Sequence, residues 1–297
     1  MHGMASLTMS CFCAASSPPP ESSLVDTLPL PRTTPSSTIT MYAFALVNLL
    51  LAASAIAIPT SAERRTMRDA KRASGRSSQP LMSIEQAAAD VVKTGGQTQE
   101  TYSTNWAGAI WSKPANTITA VTGTFTVPTA SGSGSASAWV GIDGASCSSA
   151  ILQTGVDFNS DGSYDSWYEW FPAGAVDFDG LTINSGDVIK LTVTATSTTA
   201  GSAVIENTTS GQKVNQALTS SSALCEQDAE WIVEDFEENG GLVPFANFGT
   251  VTFSDASATT PSGSLSPAGA SISDIQQNGQ TLTQTTISGN DVTIKHT

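Results

Sequence analysis

Carboxylate and amide side chains interrupt two apolar stretches of the sequence at positions where they could do chemistry. Glu230 and Glu234 stand in the stretch AEWIVEDFE, and Gln153 stands in ILQTGVDF. Alternate residues of a strand point to one face, so Glu230 shares a face with Glu234, while Trp231 and Val233 share the other. A carboxylate in the middle of a strand is unfavourable unless it is solvated or functional. These residues are therefore either candidates for catalysis or polar members of a solvated outer face.

Histidine is nearly absent, which removes the commonest hydrolytic mechanisms. The two histidines are His2 and the penultimate residue, His296. A Ser-His-Asp or Cys-His mechanism then has no base, and zinc hydrolysis lacks its usual imidazole ligands. The sequence contains no Asp-Thr-Gly or Asp-Ser-Gly motif for a pepsin-like pair and no Gly-rich phosphate loop. If the chain is an enzyme, carboxylates and amides have to do the work.

The N-terminal part of the chain has the pattern of a secretory leader. Residues 41–58 (MYAFALVNLLLAASAIAI) are apolar and end in small residues with an Ala-x-Ala step, and a proline follows. A membrane anchor is the alternative, but the apolar run is short for a span of about 20 residues. We predict an upstream segment at 1–40, with Met41 as a candidate initiator, and a signal peptide at 41–62. The protein is then secreted and extracellular, with no stable membrane association.

Basic residues crowd into the stretch that follows the leader. Six arginines and lysines lie between residues 64 and 76, whereas from residue 97 onward four basic residues face twenty acidic ones. A solvated basic tail is one interpretation. The other is a pro-segment at 63–98, including an amphipathic helix at 83–93, that binds the acidic domain at 99–297 as an intramolecular inhibitor. Acid would weaken that attraction by protonating the carboxylates.

The composition of the acidic domain limits its partners and its working conditions. Four scattered cations form no basic stripe that could neutralise phosphates, so we exclude nucleic acid as a partner. Once the carboxylates are protonated near about pH 3, few positive charges remain to repel one another and unfold the chain. The domain is therefore suited to acid.

Short runs of alternating apolar and polar residues continue from residue 102 to the end, separated by Gly, Ser, Asn and Asp. Few helices and many short strands predict an all-β fold, a two-sheet antiparallel β-sandwich, and we expect a monomer. Residues 131–137 (SGSGSAS) are predicted to be a flexible loop. The predicted strands are residues 121–127, 138–142, 150–156, 166–171, 188–196, 202–207, 229–236, 250–254 and 292–295.

Cysteine usage agrees with an oxidising compartment. Beyond the pro-segment only Cys147 and Cys225 remain. Two such cysteines most simply form one disulfide, and two free buried thiols are the alternative. Asn207 opens an Asn-Thr-Thr glycosylation sequon, but such triplets often arise by chance, so the sequence leaves its use open.

Several longer motifs resemble the glutamic peptidase, or eqolisin, family and occur in the family's order. They are NWAG at 105–108, WVGIDG at 139–144, ILQTGVDF at 151–158, WYEWFP at 167–172 and AEWIVEDFE at 229–237. The resemblance covers about residues 102–297. It implies a lectin-like jelly roll of two curved sheets with a cleft on the concave face. It also implies acid endopeptidase activity on protein or peptide substrates, with no metal and no cofactor.

The resemblance assigns roles to particular residues. It places the family's catalytic glutamate on Glu230 and its catalytic glutamine on Gln153. An ionised Glu230 can take a proton from water while the amide N–H of Gln153 stabilises the oxyanion, and Glu230 then protonates the departing amine. The family also implies that Cys147 and Cys225, just before the two catalytic strands, tie those strands together.

Six further residues align with positions that line or border the family's cleft. We therefore expect substrate contacts from Trp106, Trp139, Asp143, Glu169 and Phe171, and Asp157 is a further carboxylate near the cleft. Phe171 stands where the family can have a tyrosine, so a hydroxyl contact is lost there. A structural role is the alternative for each of these residues, and for the tryptophans that role is packing alone.

Two functions of other classes fit some of the same residues. A sandwich-fold glycoside hydrolase could pair Glu230 with Glu234, but retaining chemistry needs two carboxyl groups about 5 Å apart on opposite sides of the sugar. Gln153 would have no role in that enzyme. A carbohydrate-binding module could stack sugars on the tryptophans, and it would be indifferent to Glu230→Gln.

Overall fold

A computed structural model describes residues 75–84 and 100–297. The predicted upstream segment, the signal peptide and residues 85–93 of the predicted helix lie outside the described residues. Within them, Ser83 forms an isolated antiparallel bridge with Ser103. No helix in the described part of the chain is both long and apolar enough to cross a membrane.

The described residues form strands joined by turns. In chain order the strands are β1 (Glu100–Ser103), β2 (Trp106–Ser112), β3 (Ala120–Thr126), β4 (Ser135–Ile142), β5 (Ile151–Asn159), β6 (Tyr164–Phe171), β7 (Val176–Asp177), β8 (Val188–Ser197), β9 (Ala200–Asn207), β10 (Gln212–Thr219), β11 (Asp228–Glu234), β12 (Glu237–Glu238), β13 (Gly241–Leu242), β14 (Thr250–Thr260), β15 (Gly263–Leu265), β16 (Ser271–Gln277), β17 (Gln280–Thr281), β18 (Thr283–Ser288) and β19 (Asp291–His296).

Two large sheets contain almost all of these strands. The nine-stranded sheet has the order β1-β16-β2-β11-β4-β5-β6-β7, with β17 paired to β16. The eight-stranded sheet has the order β10-β9-β8-β3-β14-β19-β18, with β15 paired to β14. Neighbouring strands are antiparallel apart from β1 and β16, and β12 and β13 form a separate hairpin. The predicted two-sheet antiparallel sandwich is confirmed.

The alternation of residue types along each strand explains the layering. In β8, Ile189, Leu191 and Val193 point into the core between the sheets. In β11, Trp231 and Val233 do the same from the opposite sheet. In β11, the alternate residues Glu230, Ile232 and Glu234 project to the far side of the nine-stranded sheet, which we call its outer face. The period of two therefore gives this sheet one face for the core and a second face for other contacts.

The structure differs from the sequence-based strand assignment in two ways. Strand β4 begins at Ser135, so the predicted loop at 131–137 is wrong in its last three residues, and Ser137 is buried. Ten strands were not predicted, namely β1, β2, β7, β10, β12, β13, β15, β16, β17 and β18. Most residues of β10 are exposed at the edge of the sheet, so its sequence QKVNQALT carries no clear apolar alternation.

Candidate active site on the outer face

Four strands place the two predicted catalytic residues in one row on the outer face. Glu230 of β11 lies opposite Gly141 of β4. Gly141 lies opposite Gln153 of β5, and Gln153 lies opposite Glu169 of β6. Two strand spacings separate Glu230 from Gln153, a distance of about 10 Å between backbones. The row therefore sets a carboxylate and an amide on either side of a residue that has no side chain.

Gly141 is required by close packing around this row. A Cβ atom added there would lie 2.8 Å from the indole of Trp139 and 3.4 Å from the Cβ of Gln153. Any larger residue would therefore displace one or both of these side chains. The glycine keeps the surface between Glu230 and Gln153 low, as a site for an extended peptide requires.

Both predicted catalytic side chains carry buried polar atoms without a partner. Neither carboxylate oxygen of Glu230, nor Oε1 of Gln153, has a hydrogen-bond partner within the described residues. Nε2 of Gln153 donates to Glu169 at 3.3 Å. Burial raises the pKa of Glu230 well above its ordinary value, and the nearby Asp228 and Asp143 raise it further. Buried polar atoms without partners are rare and mark sites where chemistry or ligands supply the missing contact.

Glu234 organises the two tryptophans of the outer face. It accepts the indole N–H of Trp139 at 2.9 Å and that of Trp106 at 3.3 Å. The two rings meet edge to face, 4.8 Å apart. Burial raises the pKa of Glu234 to about 7, although Arg76 acts in the opposite direction. The sequence placed Glu234 on the face of Glu230 but assigned it no part in a peptidase, because only the fold brings both indoles to it.

The other residues expected to contact a substrate divide into two groups. Glu169 adjoins Gln153, and burial raises the pKa of Glu169 to about 8 despite the nearby Arg76. Phe171 packs against the outer-face cluster of Trp106, Trp139 and its apolar neighbours. Asp143 is different, because both of its oxygens accept backbone N–H groups of residues 225–228. The structure therefore places Asp143 beside the row, within a network of loop contacts.

The predicted disulfide between Cys147 and Cys225 is confirmed. It joins the loop after β4 to the loop before β11. Within the described residues, these two sulfurs and Asp143 form the one grouping with the spacing of metal ligands. The sulfurs are bonded to each other and the carboxylate is saturated with backbone donors. Metal binding at this grouping is therefore not supported.

Residues 75–84 lie across the outer face, where Arg76 makes ionic and aromatic contacts. Its guanidinium binds both oxygens of Asp157, at 2.8 and 3.0 Å, and lies 3.5 Å from Glu169. The same group stacks on the ring of Trp167 at 3.9 Å and on that of Phe236 at 4.5 Å. Arg76 is buried, so a cation of the basic stretch occupies a closed acidic and aromatic pocket.

The backbone of the same segment is hydrogen-bonded to both sides of the face. Ser77 exchanges two hydrogen bonds with Glu237. The next two N–H groups, of Ser78 and Gln79, donate to Glu169 and Glu234, each at 3.1 Å. Further along, the N–H of Leu81 donates to the carbonyl of Gly144, and its side chain packs on the outer-face cluster. The segment thus contacts the site as an extended peptide.

Comparison with known proteins agrees with this geometry. Residues 104–296 match the Peptidase A4 family. Aspergillopepsin-2 of Aspergillus niger is 45% identical over 278 residues, which are 84% of this chain and 98% of the relative. Scytalidopepsin B of Scytalidium lignicola is 43% identical over 244 residues, or 78% of this chain and 89% of the relative.

Solved structures of similar chains share the fold. The crystal structure of scytalido-glutamic peptidase with a transition state analog inhibitor has a TM-score of 0.63 and 45% identity. It matches 65% of this chain and 98% of its own chain. Aspergilloglutamic peptidase from Aspergillus niger has a TM-score of 0.53 and 51% identity, with 55% of this chain and 99% of its own chain matched.

Proposed function

Because the chain belongs to the peptidase A4 family of glutamic endopeptidases, we propose that Glu230 and Gln153 carry out its hydrolysis of peptide bonds. The observation that supports this assignment most directly is their shared row on the outer face. Both side chains also carry buried oxygens without partners in the described part of the chain. A scissile peptide and a water molecule would supply the missing contacts.

The two side-chain types divide the reaction between them. Ionised Glu230 takes a proton from a water molecule as the water oxygen attacks the scissile carbonyl carbon. The N–H of Gln153 donates to the oxyanion of the tetrahedral intermediate. Glu230 then returns its proton to the amide nitrogen, the C–N bond breaks, and an acid and an amine leave. No other group has to accept or supply a proton.

While residues 75–84 cover the outer face, burial favours the protonated form of Glu230, which is inactive as a base. Burial, followed by the charges of Asp228 and Asp143, raises the pKa of Glu230, so the protonated acid is favoured in the acidic range. A protonated carboxyl cannot act as a general base. Water that enters the cleft once residues 75–84 have left would reduce the desolvation that opposes ionisation. We therefore infer that leaving of this segment activates the catalytic base as well as exposing it.

Residues 75–84 act in this proposal as the intramolecular inhibitor of the enzyme. Their contacts run from Asp157 to Gly144 across the outer face, where a substrate has to lie. Two consecutive N–H groups of the segment bind two carboxyl groups of the site. A substrate of similar extended form would compete for those same acceptors. Processing in the range 63–98 would remove this competitor, and it defines the catalytic domain at 99–297.

Protonation of Glu169 and Glu234 does not release the segment in acid. The raised pKa values of the two glutamates, about 8 and about 7, mean that the closed state prefers them protonated. As the pH falls toward the ordinary pKa of a glutamate, protonation of these two groups therefore stabilises the closed state. Protonation of Asp157 would instead leave the guanidinium of Arg76 buried without its paired charge. Loss of one partner of a buried ion pair costs about 3–5 kcal/mol.

Secretion and activity in acid complete the proposal. The leader pattern at 41–62 and the disulfide between Cys147 and Cys225 support an extracellular enzyme. The four basic residues of the domain support stability in acid. The substrates are extended or unfolded proteins and peptides, since the face accommodates an extended chain.

The test is cleavage of a denatured protein by the secreted chain from pH 2 to 7, with Glu230→Gln compared at each pH. Loss of general acid and base catalysis is expected to lower the rate by about 10²–10⁴-fold. Glu206→Gln, on the eight-stranded sheet, is the matched control and should retain activity. Equal cleavage by wild type and Glu230→Gln would refute the assigned mechanism. Sugar binding would then be measured as the alternative.

A further inference from the structure

Asp228 lies two residues before Glu230 on β11 and on the same face. Its Oδ1 accepts the hydroxyl groups of Ser112 at 2.8 Å and Ser146 at 2.5 Å. Its Oδ2 accepts the N–H groups of Ser146 at 2.7 Å and Cys147 at 3.0 Å. The side chain is buried, and all four contacts are donors to it. Asp228 therefore serves as an acceptor only, as an ionised carboxylate does.

Asp143 makes the reciprocal set of contacts. Its two oxygens accept four consecutive backbone N–H groups, of residues 225–228, at 2.7–3.1 Å. Asp228 thus holds the loop that follows β4, while Asp143 holds the loop that precedes β11. The disulfide between Cys147 and Cys225 joins the same two loops. We call these two aspartates and the disulfide the brace.

The brace fixes where β11 begins. The N–H of Asp143 also donates to the carbonyl of Asp228, which continues the pairing of β4 with β11 beyond Ala229 and Ile142. Glu230 comes directly after Ala229 and pairs with Gly141. A one-residue slip of β11 would turn Glu230 into the core. The contacts of the brace therefore stabilise the register of β11 against β4 that places Glu230 on the outer face.

Among the described residues, the charged groups around Glu230 are mainly acidic, and Arg76 is the cation on its face. Arg76 forms its ion pairs with Asp157 and Glu169. Lys113 lies over the ring of Trp111, and Lys213 pairs with Glu206 on the eight-stranded sheet. The titratable and charged groups on the elements around Glu230 are Asp228 and Glu234 of β11, Asp143 after β4, Asp157 of β5, Asp165 and Glu169 of β6, Glu226 before β11, and Arg76.

We propose that Asp228 is a positioning residue of the catalytic site: it holds Glu230 in register, and its negative charge sets the pH range in which Glu230 acts as a base. This inference rests on the proposed function. Asp143 supports Asp228 and adds a smaller effect of the same sign. The effect on ionisation agrees with the causes of the raised pKa of Glu230, in which Asp228 precedes Asp143.

The direction of the pH effect follows from the charge. A negative Asp228 opposes ionisation of Glu230, so its removal makes the ionised base easier to form. The acid-side limb of the kcat/KM profile, which reports ionisation of the essential base in the free enzyme, should then move to lower pH. Loss of fold alone would lower activity at every pH without moving that limb.

The experiment compares Asp228→Asn with wild type, using the secreted full chain after acid treatment and a fluorogenic peptide from pH 2 to 7. We expect kcat/KM on the acid-side limb to rise relative to each enzyme's own maximum by about tenfold, since a nearby unit charge in a partly dry site has an effect of that order. Asp274→Asn is the matched control. It removes a buried aspartate of the same sheet that accepts three hydrogen bonds, and its limb should stay in place.

Two further variants separate charge from position. Asp228→Glu keeps the charge but lengthens the side chain, so its limb should stay near that of wild type while kcat falls. Asp143→Asn should move the limb in the same direction as Asp228→Asn but by less. An unmoved limb in Asp228→Asn and Asp143→Asn, with Glu230→Gln inactive, would overturn this inference alone. An active Glu230→Gln would overturn the proposed function beneath it.

Discussion

Each sheet has an outer face, made of alternate residues that point away from the core, but the two outer faces differ in composition and burial. The eight-stranded sheet presents threonines, which bond to one another across strands, as Thr122 does with Thr192 at 2.9 Å. Its ion pair between Lys213 and Glu206 is exposed. The outer face of the nine-stranded sheet carries buried tryptophans and carboxyl groups, with Trp139 and Glu234 in contact.

This difference shows that burial, and not residue type alone, gives a polar side chain unusual chemistry. Threonine hydroxyls satisfy one another or water, so the face that they cover needs no further partner. A carboxyl group out of water has a raised pKa unless donors or cations compensate for the lost hydration. Glu230 has no such compensation in the described residues. The acidic face is thus the one whose polar atoms call for a ligand.

The largest expected difference between the two sheets is in the effect of removing one side-chain amide from each. Gln153→Ala should lower kcat by about 10²–10³-fold, because it deletes the proposed oxyanion donor. Gln216→Ala, in exposed strand β10 of the other sheet, should leave kcat unchanged. Steady-state kinetics on one peptide substrate measures both. Similar kcat values for the two variants would show that Gln153 does not act on the transition state.

The next prediction concerns the segment that covers the acidic face. Arg76→Ala removes the buried cation that lies between the carboxyl groups of Asp157 and Glu169. The closed state should be destabilised by about 3–5 kcal/mol, so the unprocessed chain should become active at a higher pH than wild type. Peptidase activity of the unprocessed chain, measured from pH 3 to 7, gives the result.

A variant at an exposed position of the same segment supplies the control. Ser83→Ala should behave as wild type, because Ser83 is exposed. Arg76→Lys should lie between the two, since lysine keeps the charge but cannot bind both oxygens of Asp157 in a planar fork. Susceptibility of residues 75–84 to an added protease, measured in a Glu230→Gln background, reports opening without the enzyme's own activity. Equal protection in Arg76→Ala and wild type would contradict the anchoring role.

The alternation along strands made most of this fold readable from sequence. Strand β11 and its two faces follow from AEWIVEDF, because apolar residues at 229, 231 and 233 define the core side. Strand β10 was missed because both of its faces are largely exposed at a sheet edge. Period-two reasoning needs one buried face, so it fails where a strand has none.

The site was less accessible to sequence reasoning than the strands. The motifs suggested Glu230 and Gln153, but the roles of Asp228 and Glu234 depend on contacts between residues about a hundred positions apart. Glu234 binds the indole of Trp106 across 128 positions. Arg76 looked like one cation among several in a basic stretch, and no local signal separates it from its neighbours. Such contacts arise from topology, which composition and periodicity do not encode.

Asn207 is the smallest test of the comparison, because it is a buried polar side chain of the eight-stranded sheet whose hydrogen bonds are satisfied. Its Nδ2 donates to the carbonyl of Thr182 at 3.0 Å and to Asp187 at 2.8 Å. Its Oδ1 accepts the N–H groups of Thr209 and Ser210. Since both amide hydrogens are used and the side chain is buried, the sequon should carry no glycan in the folded protein.

Asn207→Ala should therefore lower the free energy of unfolding, without loss of a glycan and without a change in kcat. Deletion of the amide removes a donor to Asp187 and to the carbonyl of Thr182, and it removes the acceptor of two backbone N–H groups. This loss costs about 1–3 kcal/mol. Thermal unfolding should show that loss, while kcat at a temperature where the variant is folded should equal that of wild type. Intact mass of the secreted chain, before and after treatment with a peptide N-glycosidase, checks the sequon directly. A glycan at Asn207 would mean that this end of β9 is open to solvent. Burial of a polar group would then not be enough to distinguish the two faces. The distinguishing feature would be a buried polar group without a partner, as at Glu230.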